Sequence, residues 1–143
     1  MIVRDENAMR DFGAQLAATL REGDWVAIDG PLGAGKTVLC SGILRGVGFM
    51  GEVASPSYAI VHSYDPPEVS IAVSHADLYR VKDVAELEEL GLADERGDRV
   101  TLVEWAERAG PDYAVPSHHI WITPQPDGSR NITVKTETND VNN

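Results

Sequence analysis

Cysteine and basic residues are scarce in this sequence. Cys40 is the only cysteine among 143 residues, which excludes an intramolecular disulfide and a metal site built from several cysteines. Lysine and arginine together number 12, against 23 aspartate and glutamate residues, so the formal net charge is −11. Gripping a nucleic-acid backbone requires clustered lysine and arginine, because these displace its counterions. We therefore do not expect the chain to bind nucleic acid by itself, although an acidic face would suit a basic protein partner.

Long apolar runs are missing as well. No segment approaches the roughly 18 apolar residues that indicate a membrane helix, and residues 1–13 lack the apolar stretch of an export signal. We therefore predict a cytoplasmic protein without a membrane partner. Because this length fits one domain, we predict a single domain over residues 1–136, followed by a polar tail over residues 137–143.

The apolar residues that are present alternate between helical and strand patterns. Met9, Phe12, Leu16 and Leu20 form one apolar stripe at helical spacing. This stripe predicts a first helix that starts within residues 5–7 and stops at Gly23. The run at 25–28 predicts a buried strand, and the spacing from Lys36 predicts a helix that ends near Gly46 or Gly48. The order strand, loop, helix indicates an α/β protein.

Further elements are predicted downstream. Asp83 and Glu86 have the spacing of a helix cap, which predicts a short helix stopped by Gly91. The remaining apolar runs predict strands over residues 57–64, 69–74 and 100–103, and a terminal hairpin that joins 120–122 to 132–134.

The stretch GPLGAGKT, residues 30–37, has the G-x-x-x-x-G-K-[ST] pattern of a phosphate-binding loop. Its glycines allow the backbone N–H groups and the following helix N-terminus to converge on phosphate oxygens. Lys36 would reach the β- and γ-phosphates, and the Thr37 hydroxyl would be a Mg²⁺ ligand. Nucleotide binding is therefore predicted from the loop alone.

A hydrolase or kinase also needs a carboxylate that holds the metal, usually at the end of a strand beside the loop. Glu104 follows the predicted strand 100–103, and Asp77 follows the predicted strand 69–74. Either acid is a candidate for this role. His75 and Asp77 alone offer too few ligands for a separate metal site, so we predict a structural role for His75.

Five separated motifs resemble the TsaE (YjeE) family of small bacterial P-loop ATPases in order and spacing. They are the loop at 30–37, SPSY at 55–58, HADLYR at 75–80, ELEELG at 86–91 and VEW at 103–105. The predicted fold is α/β, a three-layer αβα P-loop NTPase with a central mixed sheet and a C-terminal β-hairpin. The resemblance implies an ATPase that works with TsaB and TsaD to form the threonylcarbamoyl group on the adenosine next to the anticodon of tRNAs reading ANN codons. Its partners, the TsaB-TsaD complex, would contact the tRNA.

The same resemblance implies roles for individual residues. ATP phosphates would be held by Gly33, Ala34, Gly35, Lys36, Thr37 and Val38. Thr37 and Glu104 would hold Mg²⁺, and Asp77 would orient or activate the attacking water. Asp5 matches an acidic position near the nucleotide, Trp105 would pack beside it, and residues 55–57 resemble a switch loop. The chain departs from the family pattern at Pro31, Val38 and Ser57, none of which removes an expected catalytic group.

Two other functions remain open. A small metabolite kinase would share the loop and the metal carboxylate, but it usually gathers arginines over the transferred phosphate, whereas the arginines here are scattered along the sequence. In a nucleotide-gated binding module, ATP occupancy would set a conformation and hydrolysis would be incidental.

Overall fold

A mixed β-sheet forms the centre of the structure, a computed structural model that describes residues 1–53, 56, 61–110 and 112–137. Within these residues the sheet has seven strands: β1 (Ile2–Val3), β2 (Trp25–Asp29), β3 (Val61–Tyr64), β4 (Val73–Asp77), β5 (Val100–Glu104), β6 (His118–Pro124) and β7 (Arg130–Thr136). Their spatial order is β1-β7-β6-β2-β5-β4-β3. β2 is parallel to both β5 and β6, and β4 is parallel to β5. β1, β3 and β7 run antiparallel to their neighbours.

Helices cover both faces of this sheet. They are α1 (Glu6–Ala17), α2 (Lys36–Gly46), α3 (Val84–Glu89) and α4 (Leu92–Glu95) in the described part of the chain, and none is long and apolar enough to cross a membrane. Successive strand side chains point to opposite faces, so β2 contributes to two apolar clusters. Val26 and Ile28 pack with α1 and α2, whereas Trp25 packs with Leu87 of α3 and Leu92 of α4. This arrangement confirms the predicted three-layer αβα fold with a mixed sheet.

Most predicted elements are confirmed near their expected bounds. β2, α2 and β5 match their predicted runs, and β6 and β7 form the terminal hairpin. Asp83 caps α3, since its carboxylate accepts a hydrogen bond from the Glu86 backbone N–H at 3.0 Å. For the strand predicted over 57–64, β3 accounts for Val61–Tyr64, and residues 57–60 lie outside the described part.

Two predicted bounds are wrong. Helix α1 ends at Ala17 rather than at Gly23, because the N–H groups of Thr19 and Leu20 bond carbonyls three residues back and tighten the chain into turns. Leu20 still packs in the core from those turns, so the apolar pattern continues beyond the end of the helix. The strand predicted over 69–74 runs instead over Val73–Asp77: Val69 is buried from a loop in which Ser70 donates to the Val47 carbonyl.

Candidate nucleotide site

The glycine-rich loop connects β2 to α2 in the middle of the sheet. Gly33 and Gly35 have φ angles of 79° and 109°, which glycine adopts without the steric cost that a side chain would bring. Gly35 is also the N-cap of α2. Because the first N–H groups of a helix lack partners within it and lie at its positive end, this backbone suits phosphate oxygens.

The two predicted carboxylates lie side by side next to this loop. Asp77 ends β4, Glu104 ends β5, and the two residues are paired across these parallel strands. Glu104 is also paired with Ile28 of β2, two residues before the loop begins. Both acids are buried, and the Asp77 carboxylate accepts a hydrogen bond from the Tyr79 backbone N–H at 2.8 Å.

A cavity of about 560 Å³ opens between the loop, the start of α1 and the ends of β4 and β5. All nine residues that the sequence proposed for the site line this cavity: Asp5, Gly33, Ala34, Gly35, Lys36, Thr37, Val38, Asp77 and Glu104. Asp5 belongs there as the N-cap of α1, where its carboxylate accepts a hydrogen bond from the Ala8 N–H at 2.8 Å. Their convergence gives the cavity both phosphate-binding and acidic groups, while their individual roles remain predictions.

Glu104 makes its closest polar contacts with Thr37 and His75. The Thr37 hydroxyl lies 3.0 Å from both carboxylate oxygens, and the His75 ring nitrogen Nε2 lies 2.7 Å from Oε2. Cys40 is fully buried on α2, and burial, reinforced by the Glu104 charge, raises the pKa of its thiol well above the ordinary value. A thiol in this state is not a reactive nucleophile, which leaves Cys40 a packing role.

The donor set at Thr37 and Glu104 fits Mg²⁺. This cation prefers oxygen ligands, and in P-loop enzymes it is bound through the loop hydroxyl and a strand-end carboxylate. Here the hydroxyl and the carboxylate already contact each other at the edge of the cavity. The two residues named as metal ligands are thus positioned together.

Lys36 is folded back onto its own loop. Its ammonium donates hydrogen bonds to the carbonyls of Gly30 at 2.6 Å and Pro31 at 2.8 Å, and it lies 4.0 Å from the centre of the Trp105 ring. Burial lowers the pKa of this ammonium, and the nearby carboxylates, Glu104 foremost, oppose that shift. Lys36 therefore lines the cavity with its ammonium bonded to two loop carbonyls, which phosphate oxygens could replace.

Comparison with known proteins places the chain in a family. A model of the TsaE family, described as threonylcarbamoyl adenosine biosynthesis protein TsaE, matches residues 3–132. The chain belongs to the TsaE family. A relative from Haemophilus influenzae, named tRNA threonylcarbamoyladenosine biosynthesis protein TsaE, is 35% identical over 144 residues, which cover 96% of this chain and 89% of the relative. The protein of the same name from Streptomyces coelicolor is 40% identical over 100 residues, covering 69% and 68%.

A solved structure agrees with this membership. The crystal structure of Bacillus subtilis YdiB superposes with a TM-score of 0.78 at 27% sequence identity, covering 95% of this chain and 83% of that one. The predicted P-loop fold and family are both confirmed by these comparisons.

The departures from the TsaE sequence pattern are accommodated where the structure describes them. Pro31 has no N–H, but its carbonyl accepts hydrogen bonds from both the Lys36 ammonium and the Ala34 N–H. Val38 lines the cavity and retains its backbone N–H. Ser55 and Ser57 of the proposed switch loop lie outside the described residues.

Four further residues line the cavity of this TsaE chain that sequence reasoning did not propose for the site: Glu6, Met9, Leu32 and Arg130. Arg130, at the start of β7, lines the cavity and donates to the carbonyls of Ala34 at 2.9 Å and Gly33 at 3.2 Å, so it braces the loop. No local pattern signals this contact across the sheet. The structural role predicted for His75 stays a prediction: its ring is fully buried, lies outside the cavity lining and bonds the Glu104 carboxylate.

Proposed function

We propose that this chain is a Mg²⁺-dependent ATPase that acts with TsaB and TsaD in forming the threonylcarbamoyl group on the adenosine beside the anticodon of tRNAs reading ANN codons. The observation that carries the ATPase proposal is the contact between the Thr37 hydroxyl and the Glu104 carboxylate at the edge of the phosphate loop. Family membership supports the pathway. The protein would act in the cytoplasm and meet tRNA through its partners.

The side chains around the cavity have distinct roles in this proposal. The loop N–H groups and the N-terminus of α2 bind the phosphates, and Lys36 exchanges its bonds to Gly30 and Pro31 for the β- and γ-phosphate oxygens. Thr37 and Glu104 hold Mg²⁺, which when bound neutralises charge on the phosphates. Asp77, fixed by the Tyr79 N–H, orients the attacking water.

The contacts of Arg130 argue against the kinase alternative. It is the only arginine that lines the cavity among the described residues, and its guanidinium bonds loop carbonyls. A kinase would be expected to bring several arginines to the transferred phosphate. The gated-module alternative differs from our proposal only in whether hydrolysis is needed, which an experiment can decide.

The test is reconstitution of the modification with TsaB, TsaD, tRNA and the threonylcarbamoyl donor, with modified adenosine measured by mass spectrometry. We expect more than one turnover per TsaD only when this chain and ATP are present. Glu104→Gln and Asp77→Asn should fail to support repeated turnover and should lose hydrolysis, while Glu95→Gln, at an exposed position of α4, serves as the matched control. Lys36→Ala should bind ATP about tenfold or more weakly, since hydrogen bonds to charged groups contribute roughly 1.5–3 kcal/mol.

Each component of this proposal has its own contradicting result. Modification that proceeds equally without the chain would overturn the pathway assignment. Full modification by Glu104→Gln without hydrolysis would favour the gated module. Transfer of phosphate from ATP to a metabolite, rather than to water, would favour the kinase.

A further inference from the structure

We infer that His75 is a positioning residue that holds the Glu104 carboxylate in the orientation required for binding the nucleotide-associated metal. This inference rests on the proposed function, because it assigns His75 to the same Mg²⁺ ligand. The observation behind it is a buried hydrogen bond of 2.7 Å between His75 Nε2 and Glu104 Oε2.

The location of His75 restricts what it can do. It lies in the middle of β4, paired with Leu102 of β5, and its side chain is fully buried. It does not line the nucleotide cavity, whereas Glu104 and Thr37 do. In this proposal His75 therefore acts on the metal through Glu104, the residue that it bonds and that lines the cavity.

The hydrogen bond also fixes how the imidazole is used. A carboxylate that binds a metal cation is ionised and only accepts hydrogen bonds, so in this role His75 Nε2 donates to Glu104 Oε2. The other ring nitrogen, Nδ1, has no hydrogen-bond partner among the described residues. The only hydrogen bond of this buried ring among the described residues is thus the one to Glu104. A histidine whose only role is to fill the core would not be expected to bond a site carboxylate.

A donor at this position has a specific effect on the carboxylate. With Oε2 bound to His75 and Thr37 donating from α2, the carboxylate is held from two sides. Without the imidazole donor, Oε2 would be left in a buried environment without that bond and the side chain would turn to recover one. Residues that orient metal ligands typically contribute 10–100-fold to metal affinity.

The experiment measures metal binding directly, without hydrolysis. Mn²⁺ is titrated into the full chain with a non-hydrolysable ATP analogue, and free Mn²⁺ is followed by electron paramagnetic resonance. We expect His75→Leu to weaken Mn²⁺ binding about tenfold or more. Binding of a fluorescent ATP analogue in EDTA should not change, because His75 does not contact the cavity. Hydrolysis by this variant should require more Mg²⁺ and recover in part at high Mg²⁺.

Rescue separates positioning from packing. The His75→Gln amide nitrogen can reach close to the place of Nε2, so Mn²⁺ affinity should return toward wild type, whereas the shorter His75→Asn should remain weak. The matched control is His118→Gln, since His118 bonds Ser117 and does not line the cavity. If His75→Leu does not fold, the Gln and Asn pair, both checked by circular dichroism, supplies the same comparison.

The outcomes distinguish this inference from the function on which it rests. Equal Mn²⁺ affinity in wild type and folded His75→Leu, or in the Gln and Asn variants, overturns the role of His75 even if hydrolysis occurs. A wild type that binds Mn²⁺ with nucleotide but never hydrolyses ATP overturns the ATPase and leaves the His75 result standing. A wild type that binds no Mn²⁺ with nucleotide overturns both.

Discussion

Trp105 holds an unusual backbone conformation directly after Glu104. Its φ of 58° makes it the only non-glycine residue with positive φ among those described, a conformation that costs roughly 1–2 kcal/mol for an L-residue. Contacts of the ring offset this cost: the Lys36 ammonium lies over one part of it, and the Tyr79 ring packs 4.8 Å away. The strained residue is thus part of the site, where it faces the loop lysine.

This geometry predicts that Trp105 reports nucleotide binding. Mg-ATP should draw the Lys36 ammonium away from the indole toward the phosphates, and a change in a charge 4.0 Å from the ring centre should alter its fluorescence. Titration with Mg-ATP should therefore change the emission of wild type and of the control Trp121→Phe, whose indole does not line the cavity. Trp105→Phe should give no response; a full response there, with loss in Trp121→Phe, would contradict the model of an exchanging lysine.

At the scale of elements, α1 and α2 approach each other through glycine. A Cβ atom added at Gly42 would collide with the Arg10 backbone, and one added at Gly13 would lie 2.6 Å from the Leu39 carbonyl oxygen. This close approach brings the Asp5 end of α1 against the loop end of α2, so packing along the two helices shapes one wall of the cavity.

From this close packing we predict that one added methyl group at Gly42 destabilises the fold, whereas one at an open position does not. Gly42→Ala should destabilise the fold by about 1–3 kcal/mol, because overpacking forces backbone to move, and nucleotide affinity should fall with it. Gly97→Ala is the matched control, since its added Cβ meets nothing within 4 Å. Denaturant unfolding gives both free energies. Equal stability of the two variants would show that α1 can shift without cost.

The sequence predicted elements and strand-end acids because both follow from local pattern. Val100–Glu104 is an uninterrupted buried run, so Glu104 could be placed at a strand end without knowing the neighbours of the strand. The contact between Arg130 and Gly33 could not be predicted, because it spans 97 residues and depends on the order in which β7, β6 and β2 lie in the sheet. The hydrogen bond from His75 to Glu104 likewise depends on the pairing of β4 with β5.

At the scale of the whole molecule, few cations are available for a nucleic acid. The net charge is −11, and several basic side chains already bond protein groups: Lys36 and Arg130 bond loop carbonyls, and Arg99 bonds Ser74 and Asp65. This excess of acidic side chains makes the protein repel other copies of itself and repel polyanions such as tRNA. A role in tRNA modification would therefore depend on partners that supply the positive surface.

This charge balance predicts that the chain alone does not bind tRNA. Anisotropy of labelled tRNA should stay constant on adding the protein in about 50 mM salt, a condition that favours even non-specific binding because counterion release is then strongest. The TsaB-TsaD complex serves as the positive control. Adding the chain and ATP to that complex should not change how its tRNA affinity depends on salt, because the partners make the phosphate contacts. If the chain alone bound tRNA with affinity that fell steeply with salt, several phosphate contacts would have to come from its few basic residues, and the assignment of tRNA contact to the partners would be wrong.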